Sequence, residues 1–195
     1  MPAKGDHDAR RRDVSEAVWR VLAAHGFGGL TLRAVAAEMG CSTGLLTHYF
    51  PNKKALVTHA LDIAEERTLQ GRLDPSGRGL AALRELITDI LPISDVAIEM
   101  NRVWVSSWDV ALADADLGER ETGRYERFRA RRLRPFVEQA RDLGEIAPDA
   151  DPDDVATTLV AFAHGLVVQV LFDPDRYPPE RQLALLDGML TALSV

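Results

Sequence analysis

Residues 31–54, TLRAVAAEMGCSTGLLTHYFPNKK, decide how the rest of this chain is read. The hydroxyl of Thr31 can reach an orphan amide one turn in, so it caps a short helix over residues 32–39. Gly40 stops that helix, because glycine takes the left-handed conformation of a tight turn at no steric cost. Ser42 can cap a second short helix that ends at Phe50. Pro51 and Asn52 then break the chain before another helix starts at Lys53. Two short helices that cross steeply need a small residue where their backbones approach, and Ala36 occupies that place. Val35, Met39, Cys41, Leu46 and Phe50 supply a small apolar core. Thr43, Gly44, Thr47 and His48 are left on the outer face of the second helix, near its N-terminus. Small and polar side chains there suit a helix-turn-helix whose second helix enters the major groove of double-stranded DNA. The competing reading is a helical pair that only packs.

Outward from this stretch the pattern is helical throughout, with no sustained period-2 alternation. Val14, Ala17, Val18, Val21, Leu22 and His25 form one stripe of a first helix, which Gly26 is placed to end. Residues 53–70 carry apolar positions at Leu56, Ala60, Ile63 and Ala64. After the turn Asp74-Pro75-Ser76-Gly77, helices are expected over residues 78–91, 94–113 and 119–142, with a kink at Pro135. The run Asp151-Pro152-Asp153-Asp154 is a helix start: a capping Asp, Pro at the first position, then acids at the positive end of the dipole. That helix continues to about Phe172, and a last one covers residues 179–193. The expected architecture is all-α with about nine helices. Residues 1–54 form a helix-turn-helix domain, residues 53–70 link it, and residues 55–195 form a larger domain for effector binding and dimerisation.

The 195 residues carry a net charge of −7, yet the charge is divided unevenly. Residues 1–54 hold eight Lys/Arg against five Asp/Glu, and the remainder fifteen against twenty-five. A basic head on an acidic body presents one face to phosphate. Arg10 to Arg12 are either a solvated end or an arm that reaches DNA.

The residues of the central stretch resemble the tetracycline-repressor (TetR) family. Its pattern is a Thr-started helix, Gly, an apolar residue, Ser or Thr, an aromatic cluster ending in Phe, and then Lys. Here that reads Thr31, Gly40-Cys41-Ser42, Leu46-Thr47-His48-Tyr49-Phe50 and Lys53. Thr47 stands where the family usually has Tyr, and Tyr49 where it has His. The string Ser42-Thr43-Gly44 with His48-Tyr49-Phe50 is similar to the subgroup containing the choline-responsive betaine-synthesis repressor. The resemblance implies that Thr31, Ser42, Tyr49 and Lys53 hold phosphates and that Thr43, Gly44, Thr47 and His48 lie against base edges. Arg33 could serve either role. It also implies a repressor released from a palindromic operator by a small-molecule effector, whose identity the sequence leaves open.

Two copies on a two-fold axis can read a palindrome with half-sites about 34 Å apart or a multiple of that. The expected homodimer surface is the last two helices, through Val155, Leu159, Phe162, Ala163, Leu166, Val167, Val170, Leu183, Leu186 and Leu190. The first of these helices is apolar almost all round, as a helix buried on both its core side and a partner would be. In the middle helices Met100, Asn101, Trp104 and Trp108 share a face. Tyr125, Phe128, Phe162, His164 and Gln169 could converge on it as an effector pocket, aromatic walls with a few polar groups. Ordinary core is the alternative for each of them.

Other classes find little support. The chain lacks Gly-rich phosphate loops after strands, a nucleophile elbow and a His-Glu-x-x-His pair, so no enzyme is expected. The single cysteine, Cys41, rules out an intrachain disulfide and a multi-cysteine zinc site; no metal or cofactor is expected. The charged start carries no apolar h-region, and the apolar stretch of residues 159–172 is interrupted and too short to span a bilayer. A cytoplasmic regulator is the expectation. The alternative control is a protein partner or oxidation of Cys41.

Overall fold

Val14, Ala17, Val18, Val21 and Leu22 are at most 4% exposed, so the apolar stripe of the first helix is the buried face of α1 (Lys4–Gly29). The computed structural model describes residues 4–72 and 74–195, the side chains of residues 4–9 excepted, so part of the charged start lies outside the described residues. Gly26 interrupts α1 with φ 61° and ψ −170°, a backbone that side-chain-bearing residues resist. The chain turns there, and His25, expected in the stripe, is exposed.

Next come α2 (Leu32–Glu38), α3 (Thr43–Leu46) and α4 (Lys53–Gly71), then α5 (Gly79–Thr88) and α6 (Asp95–Ala113). α7 (Ala115–Phe128), a π-helical turn (Arg129–Leu133) and α8 (Arg134–Asp142) run on without a break. Pro135 has no amide hydrogen, and its ring crowds the carbonyl four residues back. The widened π turn just ahead of it absorbs both defects, so the expected disturbance is a change of helical pitch. α9 (Pro152–Phe172) and α10 (Pro179–Leu193) complete nine helical rods among the described residues, with the α7–α8 rod counted once.

The chain divides into two compact units, Met1–Gly71 with Arg102–Leu117, and Arg72–Asn101 with Gly118–Val195. The core of the first joins α1 to α4 through Leu22, Phe27, Leu46, Leu56 and Leu61, and takes in Val103 and Ala111 of α6. The core of the second gathers Leu83 and Ile87 of α5, Leu133 and Val137 around the π turn, and Leu159, Ala163 and Leu186 of α9 and α10. Burial of each such Leu or Ile stabilises by roughly 1.5–3 kcal/mol, which makes these two clusters the main source of stability.

In α6 the buried positions are Val103, Ser107 and Ala111. Met100, Asn101, Trp104 and Trp108, expected to share a face, are only partly buried beside this stripe. α9 spans Pro152–Phe172, the helix expected from its Asp151-Pro152 start. By length and composition it could cross a membrane, with a mean hydropathy of 1.9. Eight of its side chains are nonetheless buried.

Candidate functional site

The Thr31 hydroxyl accepts a hydrogen bond from the amide of Ala34 at 3.0 Å, the expected cap of α2. At the other end Gly40 has φ 63°. The amide of Cys41 reaches the carbonyl of Ala36 at 2.9 Å and that of Gly40 the carbonyl of Ala37 at 3.1 Å. This pair of bonds is a Schellman motif, which closes a helix and turns the chain sharply. Val35, Ala36, Leu46 and Phe50 are buried behind the turn, with Met39, Cys41 and Tyr49 partly buried against the same core.

α3 is short, and Ser42 holds the N-cap position without using its hydroxyl as a cap. That hydroxyl is left for another partner. The Thr47 hydroxyl donates to the carbonyl of Gly44 at 2.8 Å. Thr31, Arg33, Ser42, Thr43, Gly44, Thr47, His48 and Lys53 are all exposed, and Tyr49 is half-buried. The nine residues expected to meet DNA thus cluster around α2, α3 and the start of α4. Arg10, Arg11 and Arg12 are exposed on α1.

α4 starts with a cap that the sequence reading missed: the side-chain oxygen of Asn52 accepts from the amide of Ala55 at 2.8 Å. Its next residues differ sharply. Lys53 is exposed with no ion-pair partner among the described residues. Lys54 lies 2.9 Å from Asp114 and 2.5 Å from Asp116, in the junction between α6 and α7. The hydrogen bond to Asp116 and then that to Asp114 raise the Lys54 pKa, and Lys54 in turn lowers that of Asp114. His59, further along α4, contacts the Ser15 hydroxyl at 3.1 Å and the ring of Phe50 at 5.2 Å. Burial holds it below the usual imidazole range.

The residues expected in an effector pocket fall in both units. Trp104 and Trp108 belong to the first, where the Trp104 indole donates to the Thr68 hydroxyl at 2.9 Å. The others belong to the second. There the Asn101 amide is spent on the carbonyls of Ile90 and Ala97, both at 2.9 Å. Gln169 is exposed. The Phe128 ring lies under the Arg72 guanidinium at 4.8 Å, and Phe162 is half-buried. Tyr125 and His164 meet edge to face at 5.2 Å. Burial first, and the charge of Arg124 second, push the His164 pKa down to about 4, so the ring is neutral at physiological pH.

A separate cleft of about 400 Å³ opens on the second unit between α5 and the start of α6. Leu86, Leu91, Ile93 and Ala97 line it beside the carboxylates of Asp74, Glu85 and Asp89. None of the expected pocket residues does. Glu85 is held by the amides of Ser76 and Gly77 at 2.8 and 3.0 Å, which lowers its pKa, whereas burial raises that of Asp89.

Most residues expected at the dimer surface are buried within one chain. Val155, Leu159, Ala163, Leu166, Val167, Val170, Leu186 and Leu190 are at most 9% exposed within one chain, while Phe162 and Leu183 are half-buried. They are mostly the chain's own core. The outward side of α9 carries Thr158, Ala161, Gly165, Gln169 and Phe172, and that of α10 carries Ala184, Leu185, Gly188 and Ala192. An apolar helix has two sides, and composition alone did not say which was already covered.

A basic-headed helix-turn-helix with an outward polar recognition face, joined to a separate helical unit, defines a DNA-binding transcriptional regulator. Residues 15–60 match the family described as bacterial regulatory proteins, tetR family. Residues 79–195 match the family described as BetI-type transcriptional repressor, C-terminal. The chain belongs to the TetR family of DNA-binding transcriptional repressors, in its BetI-type branch. It is 28% identical over 185 residues to the HTH-type transcriptional regulator PksA of Bacillus subtilis, covering 93% of this chain and 88% of that protein. With the regulator BetI of Paraburkholderia phymatum it shares 24% identity over 197 residues, 99% of this chain and 97% of that protein. Among solved structures, a putative transcriptional regulator from Saccharomonospora viridis in complex with choline has the same fold. Its TM-score is 0.80 at 23% identity, over 94% of this chain and 96% of that one. A transcriptional regulator from Rhodococcus sp. Rha1 matches with a TM-score of 0.80 at 23% identity, over 93% and 94% of the two chains.

Proposed function

We propose that the chain acts in the cytoplasm as a non-enzymatic homodimeric repressor, released from a palindromic operator by a small organic effector. The observation that carries the reading is the outward face of α3 and the turn after it, small and polar at Thr43, Gly44, Thr47 and His48, held by buried Leu46 and Phe50. These four side chains read base edges, while Thr31, Ser42, Tyr49 and Lys53 fix the register on phosphate and Arg33 serves either role. The head is residues 1–54, and residues 55–195 serve effector binding and dimerisation. The two-fold surface is the outward side of α9 and α10, where Ala161, Gly165 and Gly188 let helices approach closely and Phe172, 85% exposed, gains cover.

Effector recognition falls to the second unit around Tyr125 and His164. An effector releases DNA only through different affinities for the bound and free arrangements of the dimer. Choline, bound by the Saccharomonospora regulator, is the first compound to try. The test is titration of choline into the complex of the protein with a selected operator, followed by fluorescence anisotropy and, in parallel, calorimetry. Release at concentrations that saturate binding supports the reading. Saturation with unchanged operator affinity removes choline as the effector.

A further inference from the structure

Glu121 is a charged side chain in the interior of the second unit, 6% exposed. One of its oxygens, Oε2, accepts from Arg124 Nε at 3.0 Å and Nη2 at 2.7 Å. The other, Oε1, is buried and has no hydrogen-bond partner among the described residues. Buried polar atoms are nearly always satisfied, and an ionised carboxylate is the costliest kind to leave half-made. The ion pair with Arg124 accounts for Oε2 and for the presence of a carboxylate. It does not explain why Oε1 is left open.

The surroundings give that oxygen a context. Glu121 and Tyr125 are one helical turn apart on α7, on the same face. The Arg124 guanidinium lies 4.4 Å from the centre of the Tyr125 ring, and the ring of His164 from α9 meets that ring at 5.2 Å. A carboxylate, a guanidinium, a phenol and a neutral imidazole therefore form one cluster between two helices. Arg124 engages Glu121 through Oε2 alone. What Oε1 lacks is a hydrogen.

We infer that Glu121 Oε1 is the acceptor for a small-molecule effector whose head group donates a hydrogen bond, an ammonium N–H or a hydroxyl O–H, with an aromatic or aliphatic body beside Tyr125. A fully alkylated ammonium has no hydrogen to give and cannot satisfy this atom by its charged group alone. The inference rests on the effector site proposed above and names its chemistry. Glu121 was not among the residues read as a pocket from sequence, because its signal is burial, which an acidic, arginine-rich helix does not announce.

The test compares benzylamine, benzyl alcohol and benzyltrimethylammonium, which share a body and differ in the head. Binding of each to the full-length, DNA-free protein is measured by calorimetry and by ligand-observed NMR. The expected result is that benzylamine or benzyl alcohol, or both, bind about tenfold or more tightly than the quaternary compound. The two donors separate an ammonium-selective from a hydroxyl-selective site. In Glu121→Gln the amide oxygen can still accept from Arg124, but its NH2 meets a donor with a donor, and the preference is expected to vanish. Equal binding of the three, preference for the quaternary compound, no binding at millimolar concentration, or a preference that survives Glu121→Gln would overturn the inference. If Glu121→Gln does not fold, the wild-type comparison alone decides. Operator release is not read in this experiment, so a ligand that binds as expected without releasing DNA counts against the repression scheme and leaves this assignment standing.

Discussion

Adjacent lysines at the start of α4 separate a proposed phosphate contact, Lys53, from an internal ion pair at Lys54. Lys53 is exposed and unpaired among the described residues, whereas the Lys54 ammonium is bound to Asp114 and Asp116. A cation that neutralises a phosphate releases a counterion, and each such contact contributes about 0.9 to the slope of log affinity against log salt. Lys53→Ala removes one contact per head, so a dimer loses about 1.8 from the slope. Between 50 and 200 mM salt the fourfold change makes each contact a factor of about 3.5, and two contacts about 12. The mutant's affinity should therefore fall about 12-fold less across that range than the wild type's, on operator and on scrambled duplex alike. Lys54→Ala should leave the slope unchanged, because its charge is already cancelled by two carboxylates. Fluorescence anisotropy with labelled duplexes at four salt concentrations measures both. An unchanged slope in Lys53→Ala, or an equal drop in Lys54→Ala, would refute the assignment.

Further outcomes are open to measurement. His48→Ala should cost about 1–3 kcal/mol of discrimination at one base pair per half-site, with little loss on random DNA, as read by binding to a set of single-substituted operators. Leu46→Ala empties a fully buried site behind α3 and should cost about 2–5 kcal/mol in denaturant unfolding of the first unit, the second being spared. His164 has a folded pKa of about 4 against 6.5 in the unfolded chain. Protons then bind the unfolded chain first, so its contribution is full above pH 6.5 and is lost as pH falls towards 4. At pH 5 the loss should be about 2 kcal/mol, and a His164→Gln variant should show that much less acid sensitivity in urea melts at pH 7.5 and 5. Gly188→Arg, on the outward side of α10, should convert a dimer to monomer in sedimentation velocity while leaving helical content intact.

What the sequence made legible follows from locality. Thr31 and Asp151 cap their helices as read, because a cap is decided within three residues. Gly26 and Gly40 take the left-handed conformations that ended α1 and α2 on paper. The residues proposed to face DNA lie in one short segment, so bringing them together needed only the helix-turn-helix itself. Features made by distant residues were not readable. The partners of Lys54 are 60 and 62 positions away. Glu121 and Arg124 pair at i, i+3, but the burial of Glu121 is a tertiary property that spacing along one helix does not reveal. In α6 and α9 the choice between two apolar sides was set by neighbours, and periodicity in a helix rich on both sides cannot make it.

The central claim is best tested by selecting bound fragments of genomic DNA with the purified protein and footprinting the winners at defined salt. The expected result is a palindromic site beside a promoter, with half-sites about 34 Å apart or a multiple of that, protected symmetrically. Protection that is indifferent to sequence, or a single unpaired half-site, would contradict a dimeric repressor that reads DNA through α3.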